Sequence, residues 1–182
     1  MFNKYSIIIM FLFLGISNAY SEICIHELCL SQKYTESPIK INHPNLPPDP
    51  GSEGKLSLLG VDVDQDGVRD DVYRYVADSY WDKPHAEFLY LKKAKAIQNI
   101  LNNYTDKEIV DNKSNLLTSI MRCGISLYGY KPYNEMETDF KIVIFNTLDR
   151  YKYWALSQSL LGGNTYSSVD PSTYSEFCSK LK

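Results

Sequence analysis

The sequence is poor in the groups around which most enzymes are built. Its three histidines, His26, His43 and His85, are scattered, and nothing in their spacing supports a Ser-His-Asp arrangement. Gly-x-Ser-x-Gly, His-Glu-x-x-His and glycine loops that cradle phosphate are missing. There is no basic patch able to neutralise phosphates and the formal net charge is −3, so nucleic acid is not an expected partner. No segment sustains period-two alternation and no repeats occur, which leaves helix as the dominant element. Beyond the first apolar run, no stretch is long and uncharged enough to cross a hydrocarbon core of ~30 Å.

What the chain does have is acid, concentrated in one place. Gly60-Val61-Asp62-Val63-Asp64-Gln65-Asp66-Gly67-Val68-Arg69-Asp70-Asp71 gathers five carboxylates within ten residues. Like charges this close repel unless a cation of higher charge sits among them. Counted from Asp62, the oxygen-donor positions of an EF-hand loop fall on Asp62, Asp64, Asp66, the Val68 carbonyl and Asp70, with Gly67 at the sharp turn. Position twelve is Tyr73, which cannot supply the bidentate carboxylate, so Asp71, a remote carboxylate or water must complete the shell. The stretch resembles the Asp-x-Asp-x-Asp-Gly loops of dockerins and thrombospondin type 3 repeats. That resemblance spans residues 62–71 and implies a calcium ion bound outside the cytosol. It implies nothing about the wider fold or an activity. The alternative is an acidic surface turn in which Asp66-Gly67 forms a tight turn and Asp70 caps the next helix.

Residues 1–19 carry Lys4, the apolar run Ile7 to Leu14 and then Ser17-Asn18-Ala19, the pattern of a secretory signal peptide. The mature chain is expected from Tyr20, secreted or periplasmic, and loss of Lys4 takes its net charge from −3 to −4. Its four cysteines suggest two disulfides, Cys24–Cys29 and Cys123–Cys178. On the chain-entropy account the second stabilises by roughly 3–4 kcal/mol. A zinc site using Cys24, His26 and Cys29 lacks a matching second ligand pair. Residues 37–54, with five prolines, read as an extended connector, so that residues 20–56 form a cysteine-bearing arm and linker.

From residue 57 to 182 the pattern is that of an EF-hand-like loop followed by a helical bundle. The first helix starts at Asp70 with Val72, Tyr75, Val76 and Tyr80 as its buried stripe. Asp82 is expected to cap the second, with Pro84 in its first turn and Ala86, Tyr90, Ala94, Ile97 and Leu101 inward. Lys92, Lys93 and Lys95 read as a solvated face. Thr105 to Glu108 forms a capping box for a third helix reaching Tyr128. Ile109, Leu116, Leu117, Ile120, Cys123, Gly124 and Leu127 are to face inward there, and Gly129 and Pro132 to end it. Gly124 could let another helix approach closely.

A fourth helix is expected over 134–161, central to the bundle, on a stripe of Met136, Phe140, Val143, Ile144, Leu148, Tyr151, Ala155 and Leu156. Glu135, Glu137 and Asp139 read as acids at its N-terminus, with a hydrolytic acidic site as the alternative. A short last helix after Asp170-Pro171 turns Cys178 toward Cys123. The fold expected is thus a mostly α, disulfide-stapled small bundle behind a proline-rich arm. Its expected function is to bind calcium as a structural ion and an unidentified protein partner, without catalysis. An exported immunity or inhibitor protein acting on a toxin enzyme is the competing reading.

Overall fold

The structure, a computed structural model, describes residues 20–25, 28–33, 43–164 and 169–181. The expected signal peptide, His26 and the first six residues of the proline-rich stretch lie outside the described residues. The chain separates into two compact units, residues 1–37 and 38–182. In the first, strands β1 (Tyr20–Ile25) and β2 (Leu28–Lys33) pair antiparallel in a register that sets Cys24 opposite Cys29. The sequence shows no alternation that announces this hairpin. The Cys24–Cys29 bond rests on side chains outside those described.

The second unit is mostly helical. After a 3-10 turn at Glu53–Lys55 come α1 (Asp70–Tyr80), α2 (Pro84–Asn102), α3 (Lys107–Tyr128), α4 (Tyr130–Ile144) and α5 (Leu148–Ser159). A second 3-10 turn at Pro171–Thr173 leads into the short α6 (Ser175–Ser179). Among the described residues, no helix is long and apolar enough to cross a membrane.

The central helix is α2, which packs against α1, α3 and α5. All five residues of its expected stripe are buried, and Leu89, Lys93, Ala96 and Ile100 are buried with them. Burial therefore extends round much of the helix, and the alanines let neighbouring helices come close. Val72, Val76 and Tyr80 of α1 meet Tyr90, Ala94 and Ile97 of α2 and Tyr133, Phe140 and Ile144 of α4 in one apolar cluster. Each large side chain withdrawn from water there contributes about 1.5–3 kcal/mol. Tyr80 stacks on Tyr90 with centroids 4.9 Å apart, and Tyr90 meets Phe140 at 4.8 Å.

The helix expected over 134–161 is two helices, and this displaces much of its stripe. α4 begins earlier, at Tyr130, with Pro132 in its first turn, where a missing N–H leaves no bond unmade. Pro132 therefore opens a helix and does not close one. At the other end the chain breaks at Phe145–Thr147, and the Thr147 hydroxyl accepts from Arg150 N to start α5. Phe140 and Ile144 remain buried as expected, but Leu148 is 81% and Tyr151 62% exposed. In their place Arg150 and Ser157 turn inward.

Two caps differ from expectation by one residue. Lys83, without a side-chain bond, occupies the α2 cap expected for Asp82. Asp106 takes the α3 cap from Thr105, accepting from Ile109 N at 3.1 Å. In α3, Val110 is buried where Ile109 is only partly so, and Leu127 is 45% exposed. The expected solvated face holds for Lys95, which is exposed and donates to the Asp66 carbonyl; Lys92, partly buried, donates to the Leu181 carbonyl, and Lys93 is buried against Glu137.

Two expectations about α3 hold. Cys123 bonds Cys178 of α6, with Cα atoms 4.9 Å apart, and Leu181 closes over Leu89 and Ile120 beside the bridge. Gly124 lies under Tyr133 of α4, so closely that a Cβ there would fall 2.1 Å from the ring. Gly129, at φ +81°, makes the turn between α3 and α4.

Gly124→Ala is expected to destabilise the oxidised protein by about 1–3 kcal/mol in urea unfolding, since the Tyr133 ring must move. Serine at both Cys123 and Cys178, which frees a loop spanning 55 residues, is expected to remove about 4 kcal/mol in the same assay.

Candidate metal site

The acidic loop is folded by its own carboxylates. Asp62 Oδ2 accepts from Gly67 N at 3.0 Å, Asp64 Oδ1 from Asp66 N at 3.2 Å, and Asp66 Oδ1 from Val68 N at 2.7 Å. Asp70 Oδ1 reaches back to Val63 N at 3.2 Å, while Asp70 N donates to the Val61 carbonyl at 2.9 Å. Two residues take positive φ to close the turn, Gln65 at 58° and Gly67 at 85°. A glycine at the second of these avoids the left-handed penalty of an ordinary side chain.

Asp62, Asp64 and Asp70 each bring one oxygen within 4.8 Å of the others. Calcium–oxygen distances of ~2.3–2.6 Å allow oxygens spaced in this way to share one ion. Asp70 is 1% exposed. Its Oδ2 and Asp62 Oδ1 are buried atoms without a hydrogen-bond partner among the described residues. Burial, and then the neighbouring carboxylates, hold the Asp62 and Asp70 carboxyls above the ordinary carboxylate value. These three carboxylates have no cationic side chain paired with them among the described residues, and together they could hold a metal ion.

The remaining expected ligands stand differently. Asp66 commits one oxygen to the Val68 amide and lies outside the group of three. Val68 is buried in the apolar cluster beside Val72. Both oxygens of Asp71 are engaged elsewhere, Oδ1 by Arg69 Nε at 2.6 Å and Oδ2 by Arg69 Nη2 at 3.0 Å and Asn146 Nδ2 at 2.8 Å. Tyr73, at the twelfth position, packs edge-on to His43 with centroids 6.3 Å apart. Gln98 of α2 shares a cavity of about 360 Å³ with Asp62, and its Oε1 is buried without a partner among the described residues.

Behind the loop lie two buried arginines that the sequence reading passed over. Arg69, 1% exposed, also donates to the carbonyls of Ile144 at 3.1 Å and Val143 at 3.0 Å. Those carbonyls end α4 and have no partners within the helix. Arg150, fully buried, donates to the carbonyls of Leu58 and Ser57 at 3.0 Å each, to that of Gly54, and to Asn146 Oδ1. Gly60, at φ +69°, lies against both, and a Cβ there would fall 2.3 Å from Arg69 Cδ. Burial, with the Arg69 charge beside it, lowers the Arg150 pKa to about 10, so it stays charged at neutral pH. Burial alone would raise the Asp71 carboxyl; the bonds and charge of Arg69, with Asn146 and Arg150, outweigh it and hold the carboxyl below its ordinary value. The polar Asn146-Thr147 pair, which interrupts the expected long helix, was the available signal.

Glu135, Glu137 and Asp139 neither converge nor sit in a first helical turn. Glu135 and Asp139 are exposed, and Glu137 alone turns inward, to Lys93. No protein-family model, curated protein or solved structure matches this chain.

Asp71→Asn leaves both guanidiniums buried without their carboxylate, and urea unfolding in chelator is expected to show a loss of about 3–5 kcal/mol. A loss below 1 kcal/mol would mean that hydrogen bonds to the backbone carbonyls alone compensate the burial of the pair.

Proposed function

We propose that this is an exported protein whose Asp62–Asp70 loop binds calcium as a structural ion, and that it acts by binding a partner. The observation that carries the metal reading is the pair of unpartnered buried oxygens, Asp62 Oδ1 and Asp70 Oδ2, beside Asp64. An all-oxygen, carboxylate-rich donor set suits a hard cation that tolerates irregular coordination. A structural role is supported by position. Asp70 is the first residue of α1 and Arg69 anchors the loop from behind, so an ion there joins the entry of the bundle to its core. The Cys123–Cys178 bridge is consistent with an oxidising compartment.

The inhibitor reading keeps one observation in its favour. Ile142, Leu148 and Tyr151, each more than 60% exposed, flank the α4–α5 break as apolar surface that a protein partner could cover. The acidic-site hydrolase has no such support.

Calcium at a hundredfold excess over its Kd is expected to raise unfolding free energy by about 2.7 kcal/mol relative to chelator. Asp64→Ala should abolish that gain and cost the chelated protein no more than about 1 kcal/mol, the worth of the exposed bond that Asp64 accepts from Asp66 N. No calcium-dependent shift at millimolar concentration would refute the site. Lys95→Met, which removes the ammonium held at the Asp66 carbonyl, is expected to tighten calcium binding about fivefold by calorimetry, the equivalent of ~1 kcal/mol of relieved repulsion.

A further inference from the structure

We propose that the cavity between α2, α3, α4 and α5 binds a small amphipathic acid: an apolar or aromatic body carrying one carboxylate with a hydrogen-bond donor next to it. The cavity measures about 500 Å³, within the ~300–1,000 Å³ of small-molecule sites, and is set between the helices of a bundle, where such sites recur. Its walls are mostly apolar, from Ile97, Leu117, Met121, Phe140, Phe145 and Trp154. The aromatic rings among them offer flat faces to a ring or chain.

The polar groups define the head group. Lys93 and Glu137, 8% and 9% exposed, pair with each other and both line the cavity. One hydrogen bond to Glu137 leaves the Lys93 ammonium with donors to spare. Its other near neighbours are aromatic, with the Tyr133 and Phe140 centroids each 5.9 Å away. Glu137 Oε1 and Ser114 Oγ are buried and without partners among the described residues. Lys141 is the third charged residue of the lining, so the wall carries two cations against one anion. A carboxylate balances that excess, and a hydroxyl or amine beside it can donate to Glu137 Oε1 or Ser114 Oγ. Burial holds the Lys93 ammonium below its ordinary pKa, against the opposing pull of Glu137. An incoming anion would favour the charged amine, and so its own binding.

The site shares no residue with the acidic loop, and its binding does not need calcium. The test uses the oxidised protein, in chelator, with three probes: 2-hydroxy-3-phenylpropanoate, 3-phenylpropanoate and 3-phenylpropylamine. Calorimetry is read beside Trp154 emission in a Trp81→Phe background, since Trp81 does not line the cavity. The hydroxy acid is expected to bind tightest, the simple acid several-fold more weakly, and the amine at least tenfold more weakly than either. Lys141→Glu, a change at an exposed position, is expected to weaken both acids about tenfold without altering the melt. Thr118→Phe, which fills the cavity without adding a tryptophan, should abolish binding while preserving helical circular dichroism. Lys93→Met strands Glu137 and can unfold the core, so the Lys141 and Thr118 variants carry the decision. Equal affinity for acid and amine, no binding at millimolar probe, or binding that survives either variant in a folded protein would overturn the proposal.

Discussion

The second unit is organised around two arginines taken out of water. Removing a guanidinium from solvent costs several kcal/mol unless each N–H finds an acceptor. Among the described residues, Asp71 is the one carboxylate bonded to this pair, and it bonds Arg69 directly. Most other acceptors are backbone carbonyls from turns and a helix end: Gly54 in the first 3-10 turn, Ser57 and Leu58 before the acidic loop, and Val143 and Ile144 in the last turn of α4. A helix that continued through Asn146 would use the last two carbonyls internally. The break between α4 and α5 and the burial of Arg69 are therefore one event.

The acidic loop inherits its rigidity from this arrangement. Its backbone is drawn inward by its own carboxylates, its first glycine lies on both guanidiniums, and its last aspartate opens α1. The charges are sorted by distance from the core. Asp71 pairs with Arg69, and Asp62, Asp64 and Asp70 are left facing one another. Neighbouring aspartates at 70 and 71 thus do opposite work, because successive residues entering a helix point about a quarter-turn apart.

A second buried pair, Lys93 with Glu137, shows the same economy at the other side of α2. Tyr90 and Tyr133 stand close to it; burial, with the Glu137 charge, raises both phenols above their ordinary pKa. A polar group in such a core either completes its bonds within the fold or keeps a vacancy for something else. The open bonding positions of Glu137 and Ser114, beside a cavity walled by aromatic rings, belong to the second kind.

The sequence alone determined the helical class, the stripes of α1 and α2, the acidic loop and the Cys123–Cys178 bridge. Each of these is written locally, in a spacing of 3.6 residues, an aspartate repeat or the faces on which two cysteines fall. Only the tertiary structure decided where the long helix breaks, which helix is central, which lysine is buried and which carbonyls meet the two arginines. Those outcomes depend on partners distant in the chain, such as Glu137, 44 residues from Lys93, and Gly54, 96 residues from Arg150. Apolar periodicity reports which face avoids water. It is blind to a charged residue whose burial becomes favourable only when distant carbonyls are brought to meet it.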